Sequence, residues 1–396
     1  LSVLYFAAMK QYSMMSFSLL LSLIFVGCNA STPAAEGTPK TVADTTAPGQ
    51  AGLLPLNKIK LPPGFKIEVY ADKLSNARSM DISPSGVLFV GTRDVGNVYA
   101  VKDENGDFRT DKKWTIASGL KMPNGVALKD GDLYVAEVHR ILKYAAIESN
   151  LDKPKKEVFV DNYPDKEHHG WKYIDFGPDG NLYVPVGAPC NICEPDDEIF
   201  ATITRINMTT RAREIVQRGI RNTVGLAWHP ETKELWFTDN GGDWLGEEMP
   251  SCELNFAPKD GMNFGFPYCH QGDFPDPKLG KKHSCSDFTP PAEKLGAHVA
   301  PLGLEFYSGT MFPEEYRNQL FIAEHGSWNK TKPSGYRIVL VKIEDNMVAS
   351  HTVLAEGWLD GGAAWGRPVD IELLPDGSML VSDDYANVIY RISYSK

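Results

Sequence analysis

The chain has 396 residues, of which 42% are hydrophobic and 23% charged, a composition typical of globular proteins and not of disordered, fibrous or multi-span membrane proteins. The formal net charge of −11 argues against nucleic acid as a partner, because binding the phosphate backbone requires clusters of Lys and Arg that the sequence does not show. The 35 Gly, 27 Pro and 11% aromatic residues favour many short strands joined by turns. Length alone would suggest about two or three domains.

The N-terminal region has the features of an export signal followed by a linker. Residues 17–27 are apolar apart from two Ser, a run too short to span a bilayer but of the length found in secretory signals. Gly27 directly before Cys28 resembles the cleavage site of bacterial lipoproteins, which predicts that residues 1–27 are removed and Cys28 is lipidated. A plain signal peptide with an incidental Cys is the alternative. Residues 28–55 are predicted to be a flexible tether, so we expect an exported lipoprotein, anchored to a membrane and facing the periplasm or the cell surface.

A short pattern recurs along the rest of the chain: a turn, often Pro-Asp-Gly, followed by an alternating apolar strand. Six copies are marked by a Leu or Met in the strand, at Leu88, Leu133, Leu182, Leu235, Leu320 and Met379. The steps between them are 45, 49, 53, 85 and 59 residues, and three of these are the length of a propeller blade. The sequence therefore predicts an all-β fold, one six-bladed β-propeller over residues 56–396, with a pair of β-sandwiches as the alternative.

The longest step, between the fourth and fifth copies, predicts a long loop insertion at roughly residues 241–301. Long loops on a rigid scaffold often line a site. An oxygen-rich segment, Asp239–Gly242, begins the insertion, and such segments suit Ca²⁺, which accepts main-chain and carboxamide oxygens. Further carboxylates follow at Glu247, Glu248 and Glu253, and a solvated acidic loop is the alternative interpretation.

The six Cys are too few for a disulfide scaffold, so any bridge here supplements an existing core. Cys190 and Cys193 have the spacing of half a zinc site or of a redox pair, but no matching second pair follows, and export favours a disulfide. Cys269 and Cys285 flank a Pro- and Gly-rich segment and are predicted to form a second disulfide. Cys252 is left over, either free or competing with the first pair.

Residues that could carry chemistry stand just before several blade strands. His168 and His169 precede the third signature, and a His there can act as a general base because its ordinary pKa lies near neutrality; a packing or surface role is the alternative. Arg221, followed by Asn222, suits an anionic or carbonyl oxygen, although a structural salt bridge is equally compatible. Arg367 precedes the sixth signature in the same way. A genuine repeat would bring these groups together at one end of the central channel.

Four segments in order along the chain resemble the glucose/sorbosone dehydrogenase family of soluble quinoprotein sugar dehydrogenases. Members of that family are six-bladed propellers that use pyrroloquinoline quinone (PQQ). The resemblance extends from about Leu54 to Lys396. The four segments are Arg218–Leu226, Asn263–Cys269, Glu324–Asn329 and Gly366–Asp370.

The resemblance implies catalytic and cofactor-binding roles for individual residues. His169 corresponds to the family's catalytic His, which would take the sugar's hydroxyl proton as hydride passes to PQQ. Arg221 and Asn222 match the family's Arg-Asn pair, and the Arg would stabilise negative charge developing on the quinone oxygen. Arg367 matches an Arg that pairs with the cofactor's carboxylates.

The resemblance also implies bound Ca²⁺. Gly241 and Gly242, with Asn240 beside them, match a segment whose backbone carbonyls hold the ion that anchors PQQ and polarises it as a Lewis acid. Glu253 matches a Glu that binds a second, structural Ca²⁺.

Two regions depart from the family's pattern. Where glucose enzymes place a Lys against the quinone, this chain has Trp328, Asn329 and Lys330, which are predicted to contact the cofactor with Lys330 in place of the family's Lys. Asn124 stands roughly where the family has a Gln near the substrate, and it is predicted to contact the cofactor.

These residues lead to the hypothesis of a PQQ- and Ca²⁺-dependent dehydrogenase that oxidises an aldose or a sugar aldehyde. Its electrons would pass to a periplasmic acceptor, a quinone or a cytochrome. One alternative is a propeller lactonase, whose channel Ca²⁺ would be held by side chains such as Asn222, Asp239 and Glu324. Another is a propeller that binds a glycan or a protein without a cofactor. The cations Arg221 and Arg367 favour an anionic cofactor over the lactonase alternative.

Overall fold

The computed structural model describes residues 54–396, which are built almost entirely of β-strands and turns. The predicted signal peptide, Cys28 and the tether up to residue 53 lie outside the described residues and stay predictions. Within residues 54–396 no helix is long and apolar enough to cross a membrane. Helical structure in this range consists of short 3₁₀ turns at Leu56–Lys58, Ile147–Asn150, Cys285–Asp287 and Glu314–Tyr316.

Six sheets follow one another along the chain, and neighbouring strands within each blade are antiparallel. The first strand of the described chain is β1 (Phe65–Ala71). Blade one contains β2 (Ala77–Ile82), β3 (Val87–Thr92), β4 (Val98–Lys102) and β5 (Lys112–Ala117). Blade two contains β6 (Gly125–Lys129), β7 (Asp132–Ala136), β8 (Ile141–Tyr144) and β9 (Lys156–Val160). Blade three contains β10 (Asp175–Phe176), β11 (Leu182–Val186), β12 (Thr202–Ile206) and β13 (Arg213–Arg218).

The remaining blades carry the additions to this plan. Blade four contains β14 (Leu226–Trp228), β15 (Leu235–Asp239), β16 (Ser251–Ala257) and β20 (Glu293–Ala297). Before β20 come β17 (Met262–Asn263), β18 (Cys269–His270) and β19 (Phe274–Pro275). Blade five contains β21 (Pro301–Phe306), β22 (Leu320–Glu324), β23 (Arg337–Glu344) and β24 (Met347–Glu356), followed by a ribbon of β25 (Leu359–Asp360) and β26 (Ala363–Ala364). Blade six contains β27 (Pro368–Leu373), β28 (Met379–Asp383) and β29 (Val388–Tyr394).

Blade six is completed by the first strand of the described chain. Strand β1 pairs with β29 from Phe65 opposite Tyr394 onward, so the two ends of the propeller share one sheet. This pairing closes the ring and removes the free edge that a radial array of blades would otherwise keep. The predicted six-bladed β-propeller is thereby confirmed.

All six signature strands of the sequence become the second strand of a blade. These middle strands are buried on both faces, as in β3, where every residue is buried, because a blade lies against each face. The outermost strand β5 is mostly exposed. Clusters of apolar side chains fill the space between neighbouring blades; Phe89 of blade one and Leu133 of blade two share one of them. Burying a side chain of this size contributes roughly 1.5–3 kcal/mol.

The predicted insertion of residues 241–301 needs correction in its extent. Strands β16 and β20 lie within that range and are regular members of blade four, so the true insertion runs from 258 to 292. It crosses to blade three, where β17 pairs in parallel with β13, with Met262 opposite Gln217. The sequence missed these strands because the insertion separates β20 from the rest of its blade.

Antiparallel pairing places particular loops together. The start of each blade's first strand and the end of its second strand lie at one end of the channel, which we call the upper face. The loops before β10, β14 and β27 carry His169, Arg221 and Arg367, and the loops after β15 and β22 carry residues 240–250 and 325–336. The blade repeat therefore brings the predicted site residues to one face.

Candidate active site

His169 lies on the upper face in the loop before β10, with 8% of its surface exposed. Its Nδ1 is 2.9 Å from the carbonyl oxygen of Ala188. Because a carbonyl only accepts hydrogen bonds, Nδ1 carries the proton and Nε2 keeps its lone pair. Burial lowers the pKa of His169 well below 6.5, and the positive charge of Arg221 lowers it further. A neutral imidazole with Nε2 free is the form that a general base requires.

One residue of blade three holds His169 and Arg221 side by side. The Ala188 carbonyl accepts from His169, and the Ala188 N–H donates to the carbonyl of Arg221 over 2.8 Å. Gly187 precedes it, and a Cβ there would come within 2.5 Å of the Cβ of His169. Only glycine permits so close an approach, so this loop sets the distance between the two predicted catalytic residues.

The Arg221 guanidinium is buried, with 4% of the residue exposed, and is fixed by three neighbours. Nε and Nη2 each donate over 2.8 Å to Asn191, to its carbonyl and its side-chain oxygen respectively. Nη1 donates to the carbonyl of Asn240 over 3.0 Å, and Nη2 forms an ion pair with Asp243 over 3.0 Å. A guanidinium has five N–H hydrogens. The fifth, on Nη1, has no partner within residues 54–396 and remains available to a ligand.

Both predicted disulfides are confirmed. Cys190 is bonded to Cys193 and Cys269 to Cys285, while Cys252 is free and buried. The zinc alternative for the first pair is set aside, because the two sulfurs bond to each other. This short bridge encloses Asn191, the residue that receives two hydrogen bonds from Arg221.

Two carboxylates predicted for different purposes face one small cavity. Asp239 ends β15 and lies directly opposite Glu253 of β16. The cavity has a volume of about 10 Å³, room for about one water or ion, and Asn240, Gly241 and Gly242 also line it. The two Ca²⁺ positions suggested by the sequence thus share a single cavity.

Burial sets the electrostatics of this pair. Desolvation raises the pKa of Asp239 to about 6, although N–H groups of Asn222 and Arg221 donate to it over 2.6 and 2.8 Å. Desolvation, then repulsion from Asp239, raises the pKa of Glu253 to about 8. Neither forms an ion pair with a Lys, Arg or His of the described residues. A cation between them would remove the repulsion. No three His, Cys, Asp or Glu side chains of residues 54–396 already gather as a metal site, so main-chain oxygens would have to complete one.

Asn222 is held through its main chain, whereas its side-chain amide has no partner within the described chain. Its carbonyl accepts from the Asn240 main-chain N–H at 3.2 Å and from the Asn240 Nδ2 at 3.1 Å. Its side-chain amide has no hydrogen-bond partner within the described chain, although the residue is only 7% exposed. The amide is therefore free to contact a ligand.

A second network lies on the upper face around Asp384. Asp384 Oδ2 forms an ion pair with Arg78 Nη1 over 2.7 Å, and Asp384 Oδ1 lies 2.8 Å from His325 Nε2. The neighbouring positive charges hold the pKa of Asp384 well below its usual range, and burial lowers the pKa of His325 to about 4. Arg367 lies beside them and donates to the carbonyls of His325 and Gly326.

Asn124 belongs to this second network as a structural member. It is fully buried, its oxygen accepts from Arg78 over 2.6 Å, and its Nδ2 donates to Ser79 and to the Lys172 carbonyl. A ligand would have to displace one of these bonds, so contact of Asn124 with a cofactor stays a prediction.

The rim of the site carries two exposed indoles. Trp244 is 72% exposed and Trp328 is 64% exposed, and their rings meet edge to face at 5.5 Å. Trp244 has a φ of +67°, a left-handed conformation that is unfavourable for a bulky residue and is often found at functional sites. The pair forms an apolar platform at the entrance.

The other two predicted rim residues already have partners. Asn329 donates to Asp243 over 2.8 Å, and its oxygen is buried without a partner among residues 54–396. Lys330 pairs with Glu248, which is exposed, over 3.0 Å. The Lys330 side chain is only 9% exposed and already paired, so its contact with a cofactor stays a prediction.

Arg93 connects the two networks and was missed by the sequence reasoning. Its guanidinium lies 4.8 Å from the ring centre of Trp171, whose edge faces His169. With this residue, four Arg side chains surround the mouth of the channel: Arg78, Arg93, Arg221 and Arg367.

Arg93 and Asp384, which the sequence reasoning missed, stand at a fixed position in the repeat. The residue directly after each second strand lies on the upper face, and these residues are Arg93, Glu137, Gly187, Asn240, His325 and Asp384. All lie four or five residues after the six sequence markers. The register of the repeat could therefore have identified Arg93 and Asp384, whereas Asp243 and Asn191 lie deeper in loops of irregular length.

Comparison with known proteins gives one close family and several structural neighbours. A family model described as TrAA12-like matches residues 59–395. An uncharacterized protein of Borreliella burgdorferi is 34% identical over 357 residues, covering 85% of this chain and 91% of that protein. A second uncharacterized protein, slr1608 of Synechocystis, is 28% identical over 44% of this chain and 38% of its own length.

Solved structures with the same fold include three sugar-related proteins. A Trichoderma reesei carbohydrate-active enzyme of family AA12 has a TM-score of 0.75 at 20% identity, covering 85% of this chain and 98% of its own. The PQQ domain of Coprinopsis cinerea pyranose dehydrogenase has a TM-score of 0.73 at 16% identity, covering 85% and 97%. The soluble aldose sugar dehydrogenase of Escherichia coli has a TM-score of 0.65 at 18% identity, covering 84% and 100%. The family match confirms the resemblance drawn from the sequence, and these neighbours show the same fold.

Proposed function

Because the chain belongs to the TrAA12-like family, we propose that it is a PQQ-dependent oxidoreductase that dehydrogenates an aldose or a sugar aldehyde. The observation that carries this proposal is the neutral, buried His169 with its Nε2 free beside the Arg221 guanidinium. A base and a fixed cation side by side suit the removal of a hydroxyl proton while negative charge develops nearby.

His169 is the proposed general base. Its Nε2 would accept the proton of the sugar hydroxyl, while the bond from Nδ1–H to Ala188 keeps the ring oriented. The imidazolium formed in this step would be held by the same carbonyl. Its low pKa means that the base form is present at neutral pH and that the proton is released readily afterwards.

The mouth of the channel fits PQQ, an anionic quinone with three carboxylates. Arg221 keeps one N–H without a partner within residues 54–396, and Arg78, Arg93 and Arg367 lie around the same opening. Carboxylates are bound well by Arg, whose planar fork matches them. When bound, PQQ would supply the acceptor for the two electrons taken from the sugar.

The Asp239–Glu253 cavity is the proposed Ca²⁺ site of this function. Two close carboxylates without an ion-pair partner in the described chain, beside Asn240, Gly241 and Gly242, offer the hard oxygen donors that Ca²⁺ prefers. When bound, Ca²⁺ would supply a Lewis acid next to the cofactor. Binding the cation would also return both carboxylates to their charged forms.

The export features complete the proposal. Two disulfides agree with an oxidising compartment, and the lipobox-like Gly27-Cys28 supports a lipid-anchored protein in the periplasm or at the cell surface. We accordingly propose a periplasmic electron acceptor, either a quinone or a cytochrome.

Dye reduction tests the activity. The full chain is incubated with PQQ and CaCl₂ and then mixed with an artificial redox dye and a panel of aldoses and sugar aldehydes. We expect dye reduction with at least one sugar, dependent on both additions. Failure with every sugar, together with no change in the PQQ spectrum, would overturn the proposal. Lactone hydrolysis without PQQ would favour the lactonase alternative instead.

A further inference from the structure

The first strand of every blade lines the central channel, and one position on it is acidic in four blades. This position lies opposite the second residue of the signature pattern on the neighbouring strand: Asp81 pairs with Phe89, Asp175 with Tyr183, Glu305 with Phe321 and Glu372 with Leu380. In blades two and four the equivalent residues are Ala127 and Ala227. We call Asp81, Asp175, Glu305 and Glu372 the acidic ring.

The members of the acidic ring lie close enough to repel one another. Desolvation raises the pKa of Asp81 to about 7 and the pKa values of the other three well above their usual range. Repulsion from Asp81 adds to the shift of Asp175, and repulsion from Asp175 adds to that of Glu305. Each side chain nevertheless keeps some accessible surface. Partial exposure of all four side chains fits a channel that water can enter.

The described chain supplies no cation to this ring. None of the four residues forms an ion pair with a Lys, Arg or His of residues 54–396. Asp81 accepts from the Leu128 N–H, and Asp175 and Glu372 accept from the N–H of the next residue in the chain. No hydrogen bond joins one carboxyl to another among the described residues, so the ring is not a set of pairs that share protons.

A buried carboxylate oxygen of Asp370 without a hydrogen-bond partner among the described residues is a second observation, independent of the ring, that indicates a ligand. Asp370 lies two residues before Glu372 in β27 and is 2% exposed. Its Oδ2 accepts from the Met80 N–H over 2.8 Å, but its Oδ1 is buried without a partner among the described residues. Oδ1 lies against Gly303 of blade five, where a Cβ would come within 1.9 Å. Gly303 belongs to the first strand of blade five, two residues before Glu305, so this oxygen lies between the first strands of blades five and six.

We propose that the central channel binds one divalent cation of the Ca²⁺ type between the acidic ring and Asp370. Ca²⁺ takes six to eight oxygen ligands in flexible geometry and tolerates water among them. No three acidic or His side chains of residues 54–396 already converge at ligand distance, so the ion keeps part of its water shell. It would join blades one, three, five and six at the axis and neutralise charge that the fold itself leaves uncompensated.

This site is separate from the Asp239–Glu253 cavity. That cavity lies at the end of the second strand of blade four, whereas the ring lies on first strands and includes no residue of blade four. The channel cation would be structural, and its binding does not depend on PQQ. Failure of the proposed function would therefore leave this inference standing, and the reverse is also true.

Ca²⁺ binding to the full chain without PQQ tests the inference by titration calorimetry. We expect Glu305→Gln/Glu372→Gln to lose one equivalent of bound Ca²⁺ relative to wild type. The matched control, Glu344→Gln/Glu356→Gln on the strands of blade five that lie away from the channel, should lose none. Glu253→Gln should retain the channel equivalent. Unchanged stoichiometry in the channel double variant would overturn the proposal.

Thermal unfolding distinguishes a bound cation from a simple loss of packing. In EGTA the channel double variant should melt at a higher temperature than wild type, because mutual repulsion has been removed. Added Ca²⁺ should raise the Tm of wild type by more than that of the variant. The proposal would be contradicted by a variant that melts lower than wild type in EGTA and whose Tm rises with Ca²⁺ by as much as that of wild type.

Crystals of the wild-type chain soaked in Mn²⁺ keep the inference testable without any variant. We expect an anomalous peak on the channel axis between Glu305, Glu372 and Asp370. A channel without such a peak would overturn the proposal, even where the Asp239–Glu253 cavity is filled.

Discussion

The mouth of the central channel and the acidic ring inside it are built from the same six blades but carry opposite charge. At the mouth, four Arg side chains surround the opening, and Asp243 and Asp384 neutralise part of their charge. In the ring, four carboxylates face one another without a cation from the described chain. The mouth residues lie in or next to loops, whereas the ring residues lie within strands.

This difference shows what the repeat determines and what it leaves open. Blade geometry places equivalent residues at equivalent heights in the channel, and the residue types then decide the local charge. Charges that the fold pairs internally, such as Arg78 with Asp384, stabilise the structure, whereas charges without a partner are the ones that call for a ligand. At the mouth, Arg78, Arg93 and Arg221 are paired with Asp384, Asp94 and Asp243. Arg367 has no carboxylate partner among residues 54–396, so by this criterion it is the cation that suits an anion, and the ring suits a cation.

Replacing the base should have the largest effect on the mouth. His169→Ala removes the proposed proton acceptor, so we expect kcat for sugar oxidation to fall by about 10²–10⁴-fold with PQQ binding retained. The control is His351→Ala on outer strand β24, whose kcat should match wild type. Steady-state dye reduction measures both, and wild-type kcat in His169→Ala would refute the assignment.

Removing the fixed cation beside the base should have the next largest effect. Arg221→Gln deletes the charge that faces the proposed quinone oxygen, and we expect kcat/KM to fall by roughly 10²-fold. Arg221→Lys keeps a charge but loses the fork that Asn191 and Asp243 hold, so it should recover only part of the loss. Equal kcat/KM in wild type and both variants would show that the charge of Arg221 does not contribute to the reaction.

The pH profile tests the same pair of residues. His169 acts in its neutral form and its pKa lies well below 6.5, so kcat/KM should fall with acid only below pH 6.5. Arg221 is one cause of that low pKa, and Arg221→Gln should therefore move the acidic inflection to higher pH. An inflection that stays in place would show that the two side chains do not interact.

A smaller effect is expected at the rim. Trp328→Ala removes half of the exposed indole pair, and we expect the Kd for PQQ to rise about tenfold, the loss of one aromatic contact of about 1.4 kcal/mol. Met347→Ala, also exposed but distant on blade five, is the control. Fluorescence titration compares the two, and an unchanged Kd in Trp328→Ala would remove the rim from the binding site.

The smallest effect is expected from the short disulfide. Cys193→Ser frees the loop that positions Asn191, and we expect a fall in kcat/KM of less than about tenfold, because Arg221 keeps Asp243 and Asn240 as partners. Cys269→Ser, in the insertion, provides the comparison. A loss as large as that of Arg221→Gln would mean that the loop alone determines the position of the guanidinium.

The sequence predicted the fold because the signature strands keep one register throughout. It also predicted which residues reach the upper face, since each stands at a fixed place in the repeat. The acidic ring was not recognised, because three of its residues lie seven residues before their marker, whereas Glu305 lies 15 before Leu320. A longer turn between β21 and β22 accounts for that spacing.

The partners of the site residues could not be predicted in the same way. The bonds of Arg221 to Asn191 and Asp243 join two loops that are 52 residues apart in sequence and whose conformations are irregular. The cavity shared by Asp239 and Glu253 depends on direct pairing of β15 with β16, which the sequence had placed in a loop. Alternating strand patterns locate faces and registers, but they do not specify contacts between loops.

Titration of the full chain with PQQ, followed by absorbance with and without Ca²⁺, tests the central claim most directly. We predict a saturable spectral change that ends at one PQQ per chain, with tighter binding when Ca²⁺ is present. A linear, unsaturable response under both conditions would contradict the proposal that the cationic mouth of this propeller is a PQQ site.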